Sequence, residues 1–137
     1  MKYLRLVLDI VNPNVRIDEH GRTMLHIAAM CGDPEKVSML LSHGGNVNRR
    51  DYNGDTAVML SLNIPRAFHQ VRLISELCQH PALKPDRQNK RGWTILHRVC
   101  SLGDVALVEI VLATGCRVDI LDDRQMMAIQ YAKVFFS

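Results

Sequence analysis

Gly21-Arg22-Thr23-Met24-Leu25-His26 returns as Gly92-Trp93-Thr94-Ile95-Leu96-His97, with four of six residues identical at an offset of 71. The offset holds without a gap beyond the hexads: Gly32 falls on Gly103, Gly44 on Gly115, Val47 on Val118 and Asp51 on Asp122. A third copy, Gly54-Asp55-Thr56-Ala57-Val58-Met59, begins 33 residues after the first and 38 before the last. Self-similarity at a spacing of this size marks an array of stacked supersecondary units.

Each unit also reads locally. Thr23 and Thr94 stand just before an apolar run of helical spacing, where a hydroxyl can cap unpaired amides. Val37, Leu40 and Leu41 recur as Val108, Val111 and Leu112, one face of a 3.6-residue period. Gly44 and Gly115 suit the left-handed position that closes a helix, and Asp51 to Gly54 is a tight turn. The pattern predicts an all-α chain with helices near 23–31, 36–42, 56–63, 70–79, 94–102, 105–113 and 127–134. The tight turns project between them as hairpin-like fingers. Leu25, Leu41, Leu96 and Leu112 are expected between helices.

The middle unit departs from its neighbours. Val58-Met59 stands where Leu-His is expected, and Leu62 replaces a small Ala. About five extra residues are shared between Asn63–His69, where Pro65 breaks the helix, and the loop His80-Pro81-Ala82-Leu83-Lys84-Pro85. A long loop on a rigid array suits partner-specific contacts. One domain is expected over 1–137, with a partial repeat at 1–17, repeats at 18–50, 51–88 (irregular) and 89–121, and a partial repeat at 122–137. In that last part Gln125 replaces Gly and Met127 replaces Thr. Lys2, Arg5 and Asp9 give one end polar cover; Tyr131, Val134, Phe135 and Phe136 give the other little.

Composition narrows the function. Of 137 residues, 47% are apolar and 5% aromatic, so the core is aliphatic. A net charge of +3 is mildly basic and no nucleic-acid signature by itself. Lys84, Arg87, Lys90, Arg91 and Arg98 nevertheless fall within fifteen residues holding one acid, Asp86. They form either a solvated loop or a patch facing an acidic partner. Cys31, Cys78, Cys100 and Cys116 show no C-x-x-C spacing and read as small core residues of a reducing compartment. Arg5 and Asp9 interrupt the apolar N-terminal run, no cleavage site follows it, and no stretch approaches ~18 apolar residues. An intracellular, soluble chain is expected, cytoplasmic with nuclear entry open.

Catalytic signatures are absent: no Gly-rich phosphate loop, no H-E-x-x-H, no G-x-S-x-G. Cys31 and His26 fall on different faces of one short helix. His43, His69 and His80 read as isolated and exposed, and Asp122-Asp123 as a charged fingertip. No catalytic residue, metal ligand or cofactor is expected.

The first full unit, GRTMLHIAAMCGDPEKVSMLLSHGGNVNRRD (21–51), resembles the ankyrin repeat. That repeat reads G-x-T-P-L-H-x-A-A-x-x-G and then V-x-x-L-L-x-x-G-A-D-V-N. The resemblance implies an ankyrin-repeat solenoid, with His26 and His97 tying each turn to the neighbouring repeat. It also implies a protein partner held by fingertips and inner helix faces. Carried over residue by residue, the partner-binding set is Glu19, His20, Arg22, Arg50, Tyr52, Asn53, Asp55, Lys90, Arg91, Trp93, Asp123 and Arg124. Trp93 is either an exposed anchor or a side chain folded back over loop 80–88.

Within that family the chain resembles I-kappa-B-like proteins and is similar to the short polydnavirus vankyrins. The residues that carry this are DEHGRTMLHIAAMCG (18–32), RRDYNGDT (49–56), the irregular middle repeat, GWTILH (92–97) and GCRVDILDD (115–123). This implies an inhibitor that sequesters a Rel/NF-kappa-B dimer and blocks its DNA binding, with no direct contact to nucleic acid or membrane. A D-S-G-x-x-S degradation signal is missing, so signalling would not remove such an inhibitor. The competing expectations are a generic ankyrin adaptor, scaffold or bacterial effector fragment, and a targeting subunit such as a ubiquitin-ligase substrate receptor.

Overall fold

Helices account for all the regular structure among the residues that the computed structural model describes, 2–63 and 70–132. They are α1 (Lys2–Leu8), α2 (Met24–Met30), α3 (Pro34–Ser42), α4 (Ala57–Ser61), α5 (Gln70–Cys78), α6 (Ile95–Leu102), α7 (Val105–Leu112) and a single 3-10 turn at Ala128–Tyr131. The expected spans place six of these helices, α2 to α7, within a few residues, and α1 lies in the partial repeat expected at 1–17. Instead of an α-helix over 127–134, the described part there is the 3-10 turn, and 133–134 lie outside the described residues. So do residues 64–69, with Pro65 and His69, and the terminal Val134, Phe135 and Phe136.

The helix starts follow from side chains that accept amide bonds. Asp33 Oδ1 accepts from Lys36 N at 3.2 Å, with Pro34 in the first turn of α3 where its missing N–H costs nothing. Asp104 Oδ1 accepts from Ala106 N at 3.1 Å and Leu107 N at 3.4 Å to start α7. Gly44 and Gly115 take the left-handed conformation expected of them.

The helices form two rows. α2, α4, α6 and the 3-10 turn pack successively into an inner row; α3, α5 and α7 form the outer row, and α2–α3, α4–α5 and α6–α7 are the antiparallel pairs between them. Leu25, Val37, Leu40, Val58, Leu73, Ile74, Leu77, Ile95, Leu96, Val99, Leu107 and Val111 fill the space between rows. Each fully buried aliphatic side chain stabilises the stack by about 1.5–3 kcal/mol.

Two expectations need correcting. Leu25 and Leu96 are buried and Leu41 partly so, but Leu112 is 46% exposed. Leu41 lines the groove between α3 and α5, the next helix of the outer row, together with Val71 and Ser75. Among the described residues no outer helix follows α7, so the matching face of Leu112 stays open. Cys31 is exposed where α2 ends, whereas Cys78 and Cys100 are buried and Cys116 is half-buried.

Candidate partner-binding face

Four turns repeat one device. Asp18, Asp51, Asn89 and Asp122 each accept, on Oδ1, the amides two and four residues onward. The acceptances run from His20 and Arg22, from Asn53 and Asp55, from Arg91 and Trp93, and from Arg124 and Met126, all at 2.8–3.0 Å. One carboxylate or amide oxygen thus folds each finger. A backbone bond then links each finger to the one before it: Tyr52 N to His20 O at 2.9 Å, Lys90 N to Asn53 O at 3.0 Å, Asp123 N to Arg91 O at 3.0 Å. The close approach explains the glycines. At Gly54 (φ 79) a Cβ would sit 2.9 Å from Asn89 Cα, and at Gly92 (φ 76) 2.8 Å from Asp123 N. Gln125 (φ 61) occupies this position in the fourth finger, where no described finger follows it.

Histidines fix fingers to helices. His26 Nε2 donates to the Asp55 carbonyl at 3.0 Å, and its Nδ1 accepts from the Thr23 amide at 3.1 Å and the Thr23 hydroxyl at 3.0 Å. His97 does the same with the Met126 carbonyl (3.0 Å), the Thr94 amide (3.1 Å) and the Thr94 hydroxyl (2.9 Å). A carbonyl only accepts, so Nε2 carries the proton and Nδ1 is bare. Burial holds His26 below its ordinary pKa of 6.5, against the opposing pull of the Asp55 carbonyl. Both rings are therefore structural, as the repeat pattern implied.

Trp93 takes neither of its two expected positions. Its Nε1–H donates to Asp122 Oδ2 at 3.1 Å, its ring lies 4.9 Å from that of Tyr131, and the Arg91 guanidinium sits 5.7 Å over it. The indole is a half-buried tie between the third and fourth fingers. Asp122 is correspondingly no fingertip charge: it is buried, and the Tyr131 hydroxyl also donates to its Oδ2. Burial pushes the Asp122 carboxyl up, but the hydrogen bonds from Tyr131, Met126, Arg124 and Trp93 outweigh this and hold it below the usual carboxylate range. Tyr131 gains its polar cover here.

The other expected site residues divide by exposure. Glu19, His20, Arg50, Tyr52, Asn53, Lys90, Arg91, Asp123 and Arg124 are exposed along the finger row. Tyr52 packs over Gly21 with the Arg16 guanidinium 5.0 Å from its ring centre. Arg22 is half-buried against Asp18 at 3.8 Å, and Asp55 accepts from Asn89 Nδ2 at 3.0 Å. Burial raises the Asp55 carboxyl above its ordinary pKa despite that bond. The basic run 84–98 is split: Lys84 N is tied to Asn48 at 2.7 Å, Lys90 and Arg91 stand at the fingertip, and Arg98 lies behind them on α6. Sequence reasoning placed Arg98 in the basic run but not in the partner-binding set, although the offset of 71 sets it on Ile27, an apolar-to-charged change at a fixed register.

Burial pushes the Cys78 thiol up to about 12 and raises Cys100 and Cys116, so these thiols stay protonated at neutral pH. His43 is half-buried, bonded to the Met39 carbonyl and 3.7 Å from Asp9, and His80 is half-buried with Nδ1 accepting from Ala82 N. Among the described residues no group of three His, Cys, Asp or Glu side chains is placed to hold a metal, and no helix is long and apolar enough to cross a membrane.

The sequence matches known family models over most of the chain. Residues 2–64 match the family model of ankyrin repeats in three copies, and residues 91–123 match that of the single ankyrin repeat. The chain belongs to the ankyrin-repeat family. Ankyrin repeats are protein-interaction modules. This ankyrin chain is 32% identical over 90 residues to the ankyrin repeat domain-containing protein OPG023 of Monkeypox virus, an alignment covering 61% of the chain and 13% of that protein. It is 36% identical over 67 residues to ankyrin repeat protein 14 of Vaccinia virus (strain Western Reserve), covering 49% and 27%. To inversin of Homo sapiens it is 28% identical over 127 residues, covering 89% and 12%. The chain thus spans at most about a quarter of the length of these curated relatives.

Proposed function

We propose that this ankyrin stack grips a protein partner along its finger row and that the partner is a Rel-homology transcription factor dimer, held off its DNA site. The observation that supports the gripping surface is the backbone bond from each finger to the one before it. Those bonds fix Tyr52, Lys90, Arg91 and Asp123 relative to one another. A pre-ordered row loses little conformational freedom on binding, so a modest area can hold tightly. The Rel-dimer reading rests on the I-kappa-B-like resemblance of segments 18–32, 49–56, 92–97 and 115–123 and of the irregular middle repeat.

A mobility shift with a purified Rel dimer on its DNA tests this. The chain is expected to release the DNA, and Tyr52→Ala, at an exposed aromatic, is expected to do so about thirtyfold less well, equivalent to ~2 kcal/mol. Trp93→Ala is the poorer probe, since it breaks a tie between fingers. If the complex survives tens of micromolar of folded chain while another captured protein is lost on Tyr52→Ala, the partner is not Rel and the module is a generic adaptor.

A further inference from the structure

A small notch opens between the second and third fingers and the inner helices. Its volume is about 150 Å³, and Asp55, Asn63, Asn89, Arg91, Trp93 and Arg98 line it. Ligand pockets for drug-sized molecules run to roughly 300–1,000 Å³, so this one has room for a single inserted side chain. Its polar groups are not used evenly. Asn89 is spent: Oδ1 accepts the Arg91 and Trp93 amides, and Nδ2 donates to Asp55. Arg98 is not spent. Its Nε–H is buried and donates to nothing, and its guanidinium makes no ion pair among the described residues. Arg91 makes no ion pair within contact distance there; its guanidinium is held against the indole of Trp93, and its charge draws the Asp55 carboxyl down from a little further off.

Nothing in the repeat calls for an arginine at this place. The same helical register carries Ile27 in α2 and Leu60 in α4. A buried donor without an acceptor is rare in folded proteins; Arg98 shares the condition with Arg22, Arg49 and Arg87, and of these four it is the one that lines the notch. We propose that the notch takes a carboxylate side chain from an acidic segment of the protein partner, with Arg98 and Arg91 as its two guanidinium clamps. A guanidinium fork matches a carboxylate in geometry as well as charge. The surroundings favour such a segment. Arg50 and Lys90 are exposed on the flanking fingers, and the acid inside the notch, Asp55, is already engaged by Asn89. This inference rests on the finger-row reading and names what the partner must present.

Trp93 is the only tryptophan of the chain and lines the notch, so its fluorescence reports occupancy. The full chain is titrated with a short triglutamate peptide, its triglutamine counterpart and a phosphoserine peptide of the same length. Saturable change in Trp93 emission with glutamate alone is expected. Arg98→Gln is expected to weaken it tenfold or more without lowering the melting temperature, and Arg98→Lys to retain part of it. The proposal is overturned if Arg98→Gln binds as wild type, if Lys84→Gln weakens binding equally, or if the phosphopeptide binds tenfold tighter than glutamate. If the glutamate peptide fails while Tyr52→Ala still abolishes capture of a protein partner, the notch is wrong and the finger row stands. If the peptide binds while Tyr52→Ala leaves capture intact, the reverse holds.

Discussion

The middle unit and the one that follows it share a plan and differ in what they satisfy. In the later unit Thr94 and His97 close a complete box, and Asp122 in the finger beyond accepts Trp93 and Tyr131 on its second oxygen. In the middle unit Met59 stands at the histidine position, and the buried Thr56 hydroxyl has no partner. Asp51 folds its finger as Asp122 does, yet its Oδ2 is buried and unpartnered, because Arg22 and Leu60 replace the indole and the phenol. Each orphaned buried polar group costs about 1–3 kcal/mol. The fourth unit shows a third solution: Gln130 Oε1 accepts the Met127 amide at 2.7 Å, so an amide side chain can do the accepting half of the histidine's work. The same backbone therefore tolerates three side-chain answers, and they should differ in strength.

The core gives the largest test of this unevenness. Leu96→Ala is expected to cost ~2–5 kcal/mol, which a stack with only nearest-neighbour support does not readily absorb. Leu112→Ala, at the open face of α7, should cost under about 1 kcal/mol. Urea midpoints compare them, and equal shifts would mean that α7 is covered. Next in size comes the box itself. His97→Ala strands the Thr94 amide, the Thr94 hydroxyl and the Met126 carbonyl and should cost ~2–3 kcal/mol, whereas Met59→Leu, a swap of similar volume, should cost under ~1.5 kcal/mol. Chemical denaturation of both reads the gap directly.

The first unit carries a pH dependence through His26. His26 is held neutral, with its folded pKa below the ordinary 6.5. Below 6.5 the unfolded chain binds a proton that the folded chain refuses. Stability from this residue is therefore complete above 6.5 and falls as pH drops towards the folded pKa. His26→Gln should flatten that part of the urea-midpoint profile while keeping most of the fold, as Gln130 does in its own unit.

How much of this was legible depended on distance along the chain. The threonine–histidine box lies within four residues and repeats at a fixed offset, so its place could be read from the hexads, and the ankyrin resemblance implied its role. The finger turns were equally local. Trp93 was not legible, because Asp122 and Tyr131, which decide its position, lie 29 and 38 residues onward in another unit. Leu112 was misplaced because periodicity says which residues are equivalent, not whether a helix lies against them. Arg98 carried a readable signal, a charge where sister units carry Ile27 and Leu60, but its lack of an acceptor is visible only in three dimensions.

Met59→His gives the smallest shift and the most direct test of the claim that the histidine box decides how firmly a finger is tied. A histidine at 59 would accept from Thr56 and donate to the Trp93 carbonyl, and the gain should be ~1 kcal/mol. Amide hydrogen exchange followed by NMR reads the same point residue by residue. In the wild-type chain the Thr23 and Thr94 amides should exchange slowly and Thr56 faster, and Met59→His should slow Thr56 to match them. If Thr56 is already as protected as Thr94, or if Met59→His leaves it unchanged in a folded chain, the box does not set the strength of the junction and the account is wrong.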